Sequence, residues 1–381
     1  MFVETLNRAL ATSRGSEPIE ISVVAPRVHA SDSARESRHG IGIHRFACAA
    51  RGRRLKEIPR PSAPMLAAYG ASATAALLEE ARARSAHAIL CHWALPCGPI
   101  AAAASAMLRV PFALVAHGSD VNQYAKTWPF ACAARWAIAK ARRVAAVSAD
   151  LCRTMEASGL LRSGGQKIST RVIPMGVDAT HFRLPENPVR ARSEARKRLG
   201  IHESAALLLF VGDLTREKGA LDLVEAISVL RRRGIAVEAA FAGAGELQPA
   251  IEGRAAELQL RILGRVSQAD LGEWHRASDL LVLPSHSEGA PVSVMEALAS
   301  GLPVVATRVG GLPEIVEDGV TGWLTPLRNS EALADQIERL LRDPASLELA
   351  RKSLAKFPRD FSASRRAEEY RALLEEVVRG D

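Results

Sequence analysis

The chain has 381 residues, 48 % of them hydrophobic, 24 % charged and only 4 % aromatic, with a formal net charge of +8. At roughly 100–200 residues per domain it holds two or three domains, and this balance is that of a folded chain and excludes a disordered one. No run reaches the ~18 uninterrupted apolar residues of a membrane-spanning helix, because Arg109 and Pro111 break the longest approach, residues 99–116.

The first residues, Met1 to Leu10, have a helical pattern, and Glu4, Asn7 and Arg8 interrupt any signal-peptide core. The expected location is the cytoplasm. Short β-rich apolar runs then alternate with Ala-rich helical stretches. The pattern predicts strands over Ile19–Ala25, His87–Cys91, Phe112–Ala116 and Arg143–Val147, with helices near 64–84, 98–109 and 130–141. Pro174, Pro185 and Pro188 interrupt regular structure and mark a boundary within 174–190. Arg190–Leu199 begins a second set, with strands over Ala206–Val211, Val237–Ala242, Leu260–Leu263, Leu280–Leu283 and Val304–Ala306. Nearly continuous apolar strands, each followed by a helix, imply parallel sheets covered on both faces. The predicted fold is therefore α/β with two doubly wound domains, residues 1–180 and 181–357. A last amphipathic helix lies in 358–381, with Tyr370, Leu373, Leu374, Val377 and Val378 on its apolar side. Ligands of such sheets sit at the carboxyl ends of strands, so the expected site is a cleft between the two domains.

Five cysteines, Cys48, Cys91, Cys97, Cys132 and Cys152, form no Cys-x-x-Cys pair and are expected as reduced thiols. No His/Cys cluster has metal-ligand spacing, so neither metal nor cofactor is expected. Residues 1–180 hold 23 Lys and Arg against 12 Asp and Glu, whereas residues 181–381 hold 27 against 30. Such asymmetry suggests an acidic partner for the first half: anionic lipid, an anionic acceptor or nucleic acid. Low aromatic content and the lack of a nucleic-acid motif argue against the last. A merely solvated surface fits the same charges.

The densest chemical signal is Ser285-His286-Ser287-Glu288-Gly289-Ala290-Pro291-Val292-Ser293-Val294-Met295-Glu296-Ala297, between a strand and a helix. A Gly-containing turn there presents backbone N–H groups at a helix N-terminus, which suits a phosphate. A carboxylate accepts two hydroxyls of a diol at once. Glu288 and Glu296 on either side thus suit a molecule with a sugar at one end and a nucleoside at the other. Gly243-Ala244-Gly245 lacks the third glycine of a dinucleotide fingerprint, position 248 being Gln, and reads as a turn into a helix.

Together with Phe210-Val211-Gly212-Asp213, Lys218-Gly219, Gly264-Arg265-Val266, Pro174-Met175-Gly176-Val177-Asp178, His117-Gly118-Ser119-Asp120 and Gly310-Gly311-Leu312-Pro313-Glu314, this segment resembles the family 4 glycosyltransferases. These are retaining enzymes of the GT-B fold, with two Rossmann-like domains facing a central cleft and a C-terminal helix packed back on the first. The resemblance covers roughly residues 90 to 325 and rests on the two glutamates with seven residues between them, Glu288 and Glu296. It implies transfer of a sugar from a nucleoside diphosphate donor to a hydroxyl acceptor, such as a glycan or glycolipid of the cell surface. It also implies that Lys218 neutralises the leaving diphosphate, and that His117 and Glu288 meet the reacting sugar. Gly289, Ala290, Pro291, Val292, Ser293 and Glu296 would bind the donor, Arg265 and Val266 its base, and Asp120 would order its loop or contact the acceptor. The family places an arginine directly after the strand's glycine; Asp213 stands there instead, and Arg216 is the candidate replacement. The basic first domain would dock on the inner face of a membrane.

The start departs from the family, whose members open with a strand and a Gly-rich loop. Two explanations are open: a start codon inside a longer protein, or a shortened copy that binds nucleotide sugar without turnover. A nucleotide-sugar epimerase or a phosphorylase on the same fold are further alternatives.

Overall fold

A computed structural model describes residues 2–13, 18–29, 31–48, 55, 58, 61–125, 127–356 and 361–380. The chain divides into two compact units, Met1–Pro174 with Ser364–Asp381, and Met175–Ala363.

The first unit runs α1 (Phe2–Ala11), β1 (Ser22–Arg27), β2 (Arg35–Arg38), β3 (Ile41–Ala47), α2 (Ala63–Ala83), β4 (Ile89–His92), α3 (Cys97–Leu108) and β5 (Phe112–Ala116). It continues through α4 (Phe130–Lys140), β6 (Arg143–Ala146), α5 (Ala149–Ala157), the small hairpin β7 (Arg162–Ser163) and β8 (Gln166–Lys167), and β9 (Thr170–Val172). The strands form a parallel sheet in the order β4-β5-β6-β9 and a second sheet in the order β1-β3-β2. All five residues of β5 are buried, as its unbroken apolar run demands of a central parallel strand.

In the second unit come α6 (Pro188–Leu199), β10 (Leu207–Val211), α7 (Ala220–Arg232), β11 (Glu238–Ala242), α8 (Gln248–Glu252), α9 (Ala255–Leu258) and β12 (Leu260–Gly264). Then follow α10 (Gln268–Ala277), β13 (Leu280–Leu283), α11 (Val292–Ala299), β14 (Val304–Thr307), α12 (Leu312–Ile315), β15 (Gly322–Thr325), α13 (Ser330–Arg342) and α14 (Pro344–Ala355). Its single sheet is parallel, in the order β12-β11-β10-β13-β14-β15. The chain fills one side of β10 first and then returns to fill the other, so strand order reverses between β10 and β13. The last helix, α15 (Ala363–Arg379), buries Tyr370, Leu373 and Val377 in the first unit.

Several expectations need correction. The sequence pattern gave no strand at β2, β3, β9 or β15. Residues 35–38 are wholly polar and carry no alternation; β2 is instead turned antiparallel onto β3 by His39 and Gly40, both at positive φ. The first unit is therefore not wholly parallel. Val378, assigned to the apolar side of α15, is half exposed. The segment Met175–Asp178 pairs with residues 361–363, and a Cβ on Gly176 would lie 2.5 Å from the Ala363 Cα, which explains a glycine there.

A buried ionic knot fixes the starts of β10 and β13. The guanidinium of Arg196, fully buried, donates to the carbonyls of Ala277, His202, Glu203 and Ala205 and to Asp279 Oδ2. Asp279 also accepts the Leu207 N–H at 2.9 Å, tying α6 to both strands. Removing one member leaves an uncompensated buried charge. Asp279→Ala is expected to cost about 3–5 kcal/mol of stability, read as the denaturant midpoint; a loss below about 1 kcal/mol contradicts the knot's role.

Candidate active site

The reversal between β10 and β13 matters because loops leaving two such strands diverge and open a crevice at their carboxyl ends. After β10 the chain makes a turn carrying Arg216, Glu217 and Lys218 before α7 starts at Ala220. Gly219 sits at φ +66°, and a Cβ there would come 2.0 Å from the Pro284 carbonyl oxygen, so the turn lies flat against the loop after β13. His286 joins the two loops, its N–H donating to the Glu217 carbonyl at 2.7 Å and its Nε2 lying 2.6 Å from Asp222.

Lys218 and Glu288 meet across this junction. The ammonium donates to Glu288 Oε1 at 2.7 Å, and the Ser285 hydroxyl donates to the same oxygen at 2.7 Å. Glu288 is buried, its side chain 5 % exposed, while Lys218 is 31 % exposed. Gly310, at φ +55°, backs the loop: a Cβ there would fall 1.9 Å from the Glu288 carbonyl oxygen. Thr307 donates its hydroxyl to the Ser285 carbonyl. From Glu288 the chain passes Gly289 and Ala290 into Pro291, which precedes α11 and supplies no side-chain cap. The first N–H groups of α11, at Val292 and Ser293, thus stand at a helix N-terminus with its partial positive charge.

Glu296 lies on α11, buried. Burial, and then the negative charge of Asp178, push its carboxyl up to about 8 from an ordinary 4.5. The folded chain therefore keeps a proton on Glu296 that the unfolded chain gives up above about 4.5, so stability falls as pH climbs from 4.5 to about 8. Arg265 is exposed and Val266 partly buried, just after β12, the edge strand farthest from β13 on that side of the sheet. Arg216 is exposed in the turn two residues before Lys218.

In the first unit His117 and Asp120 follow β5. Asp120 is buried and its carboxylate accepts N–H groups of Ala94, His117 and Gly118 at 2.6, 3.1 and 2.8 Å. It thereby stitches the loops after β4 and β5 together. Burial raises its pKa, opposed by those same N–H groups. His117 Nε2 lies 2.9 Å from His92 Nδ1, and the Trp93 ring centroid is 4.8 Å from that of His117. Trp93 holds φ +74°, a conformation costly for a bulky residue and typical of a functional constraint. His92 and Trp93 escaped the sequence reading, although a search of every strand's carboxyl end would have reached His92, the last residue of β4.

Burial lowers the pKa of His92 to about 4 and that of His117 well below the ordinary range, the latter also through His92. Both rings are neutral near pH 7, so one nitrogen of the pair donates and the other accepts. His92 Nε2 is buried with no hydrogen-bond partner among the described residues. An orphaned buried N–H is rarer than an orphaned lone pair, which assigns the proton to His92 Nδ1 and leaves His117 Nε2 the acceptor.

Residues 2–181 match the model described as Glycosyltransferase Family 4, and residues 191–357 match Glycosyl transferases group 1. A Bacillus subtilis protein named as a teichuronic acid biosynthesis glycosyltransferase, TuaC, is 36 % identical over 249 residues, covering 65 % of this chain and 59 % of its own. A D-inositol 3-phosphate glycosyltransferase of Frankia alni is 39 % identical over 186 residues, 45 % of this chain and 44 % of its own. The chain thus spans about half the length of these curated relatives. Among solved structures, sucrose-phosphate synthase from Thermosynechococcus elongatus aligns with a TM-score of 0.78 at 21 % identity, covering all of this chain and 93 % of that one. Anabaena HepE in complex with UDP-glucose aligns with a TM-score of 0.69 at 21 % identity, covering 89 % and 87 %. At these identities the likeness shows the fold, which is GT-B.

Two measurements check the site's electrostatics. Melting temperatures at pH 5 and pH 9 should show Glu296→Gln gaining on the parent only at pH 9; an equal offset at both contradicts a protonated Glu296. Long-range 1H–15N spectra should show His117 with Nε2 unprotonated, a state that His92→Asn keeps and His92→Phe releases. An Nε2-protonated His117 in the parent contradicts the assignment. The two matching segments together take in most of the sequence, and with a GT-B fold this chain belongs to the family 4 glycosyltransferases.

Proposed function

We propose that this protein is a retaining glycosyltransferase that moves a sugar from a nucleoside diphosphate donor to a hydroxyl acceptor in cell-surface polysaccharide or glycolipid synthesis. The observation that carries this reading is the Lys218–Glu288 pair at the strand-order reversal, beside the uncapped start of α11. A buried carboxylate is stable only while its oxygens have partners. A bound donor supplies hydroxyls to Glu288 and a diphosphate to Lys218, so both groups exchange one partner for another without either charge being stranded.

In this reading Lys218 and the N–H groups of Gly289, Ala290, Val292 and Ser293 stabilise negative charge developing on the leaving diphosphate, with Arg216 available at the rim. Because an ammonium and backbone donors take that charge, no metal is needed. Glu296 accepts a diol, and the hydroxyls that reach it also solvate its charged form, so donor binding favours ionisation of a group that is neutral when the site is empty. Arg265 and Val266 flank the base. Acceptor recognition falls to the first unit, where neutral His117 and the loop ordered by Asp120 meet reacting hydroxyls. The strongly basic first half draws the protein towards an anionic surface. TuaC's name, teichuronic acid biosynthesis, supports a cell-surface product.

A thermal-shift screen of UDP-, GDP- and ADP-sugars identifies the donor, since ligand binding raises the melting temperature by mass action. With that donor, Lys218→Ala is expected to lower turnover at least ~10²-fold, and Glu296→Ala to weaken donor binding more than turnover. Transfer should persist in a chelator. Near-parental transfer by both variants refutes the assignments, and release of an altered sugar with no acceptor present selects an epimerase instead.

A further inference from the structure

Among the described residues, the exposed large aromatic side chains all fall within nine residues: Trp128 at 82 %, Phe130 at 37 % and Trp136 at 44 % exposure. They lie on α4 and the turn leading into it. The helix buries only Ala134, Ala137 and Ile138 against the rest of the unit, so its other side faces solvent. Arg135 and Lys140 are exposed on that same solvent side. The chain from 121 to 149 contains five Lys and Arg and no Asp or Glu. In a protein whose other two tryptophans besides Trp93, namely Trp274 and Trp323, are buried, two exposed tryptophans inside an acid-free stretch are not explained by packing.

Tryptophan is an amphipathic ring that favours the headgroup level of a bilayer, and Lys and Arg beside it are attracted by anionic lipid. A protein partner would more often offer carboxylates to the cations and a pocket to the rings; a flat bilayer needs neither, and suits side chains spread along one helix face.

We propose that the solvent side of α4 and the turn before it, through Trp128 and Trp136 with Arg135 and Lys140, docks the first unit on an anionic lipid bilayer. The aromatic rings enter the headgroup boundary while the two cations stay among the phosphates. Arg142 and Arg143 are held otherwise, by the Val377 carbonyl and by Glu376, and serve as background positive charge. The inference deepens the functional proposal by naming the surface that would bring the enzyme to a lipid-borne acceptor. Docking is read without any sugar donor, so a failure of transfer and a failure of docking are seen separately.

The test is sedimentation of the full chain with phosphatidylcholine vesicles, with and without phosphatidylglycerol, over a salt series. Binding is expected only with phosphatidylglycerol and should weaken as salt rises. Trp128→Ser with Trp136→Ser should lower the partition constant at least ~10-fold, and Arg135→Gln with Lys140→Gln should flatten the salt dependence. In the unaltered protein, brominated lipid should quench tryptophan emission, which keeps the test valid even if a variant fails to fold. Equal binding to neutral vesicles, binding untouched by loss of the tryptophans, or emission unaffected by brominated lipid each overturns the proposal.

Discussion

The proposed donor site rests on one ammonium and one buried carboxylate, 2.7 Å apart where the strand order of the second unit reverses. The topology creates the spot: β10 and β13 are neighbours, yet the chain leaves them towards opposite flanks of the sheet. The Arg196–Asp279 knot pins the two strands at one end, so their other ends present loops in fixed register. Close backbone contacts at Gly219 and Gly310 then press those loops together, where a side chain would force them apart. Glu288 is thereby buried with a cation and a hydroxyl as its partners, an arrangement able to release both only to a ligand bearing the complementary groups.

Apart from the paired Glu288, the polar groups proposed to meet hydroxyls are uncharged. Glu296 keeps its proton because burial and Asp178 disfavour its anion. His92 and His117 stay neutral for the corresponding reason, their cations being disfavoured by burial. Neutral groups can be buried at a fraction of the cost of ions, and they still hydrogen-bond hydroxyls. Charge is concentrated instead in the Lys218–Glu288 pair, whose ammonium is the group proposed to meet the diphosphate.

Much of this was legible in the sequence. Apolar runs such as Phe112–Ala116 and Leu280–Leu283 announce buried parallel strands because such strands touch helices on both faces. The loop from Ser285 to Glu296 stands out because glycine, proline and glutamate occur where a strand must turn into a helix. What escaped depends on three-dimensional partners. The polar strand Arg35–Arg38 is defined by a turn and by β3, not by its own periodicity. His92 looks like the end of one more strand until β4 and β5 are set side by side and its ring meets His117. The turn before α7 is held by the contact of Gly219 with Pro284, which no local pattern encodes. Trp128 and Trp136 could equally have been core residues; only the burial of the other side of α4 shows that they face outward.

Titration calorimetry with a nucleoside and with its diphosphate, on the parent and on Lys218→Ala, addresses the exchange at Lys218 most directly. If the ammonium leaves Glu288 for the pyrophosphate, Lys218→Ala weakens the diphosphate at least ~10-fold while the bare nucleoside binds as before. Equal affinity of parent and variant for the diphosphate, or an equal loss for both ligands, would mean that Lys218 merely props up Glu288 and that another group holds the leaving charge.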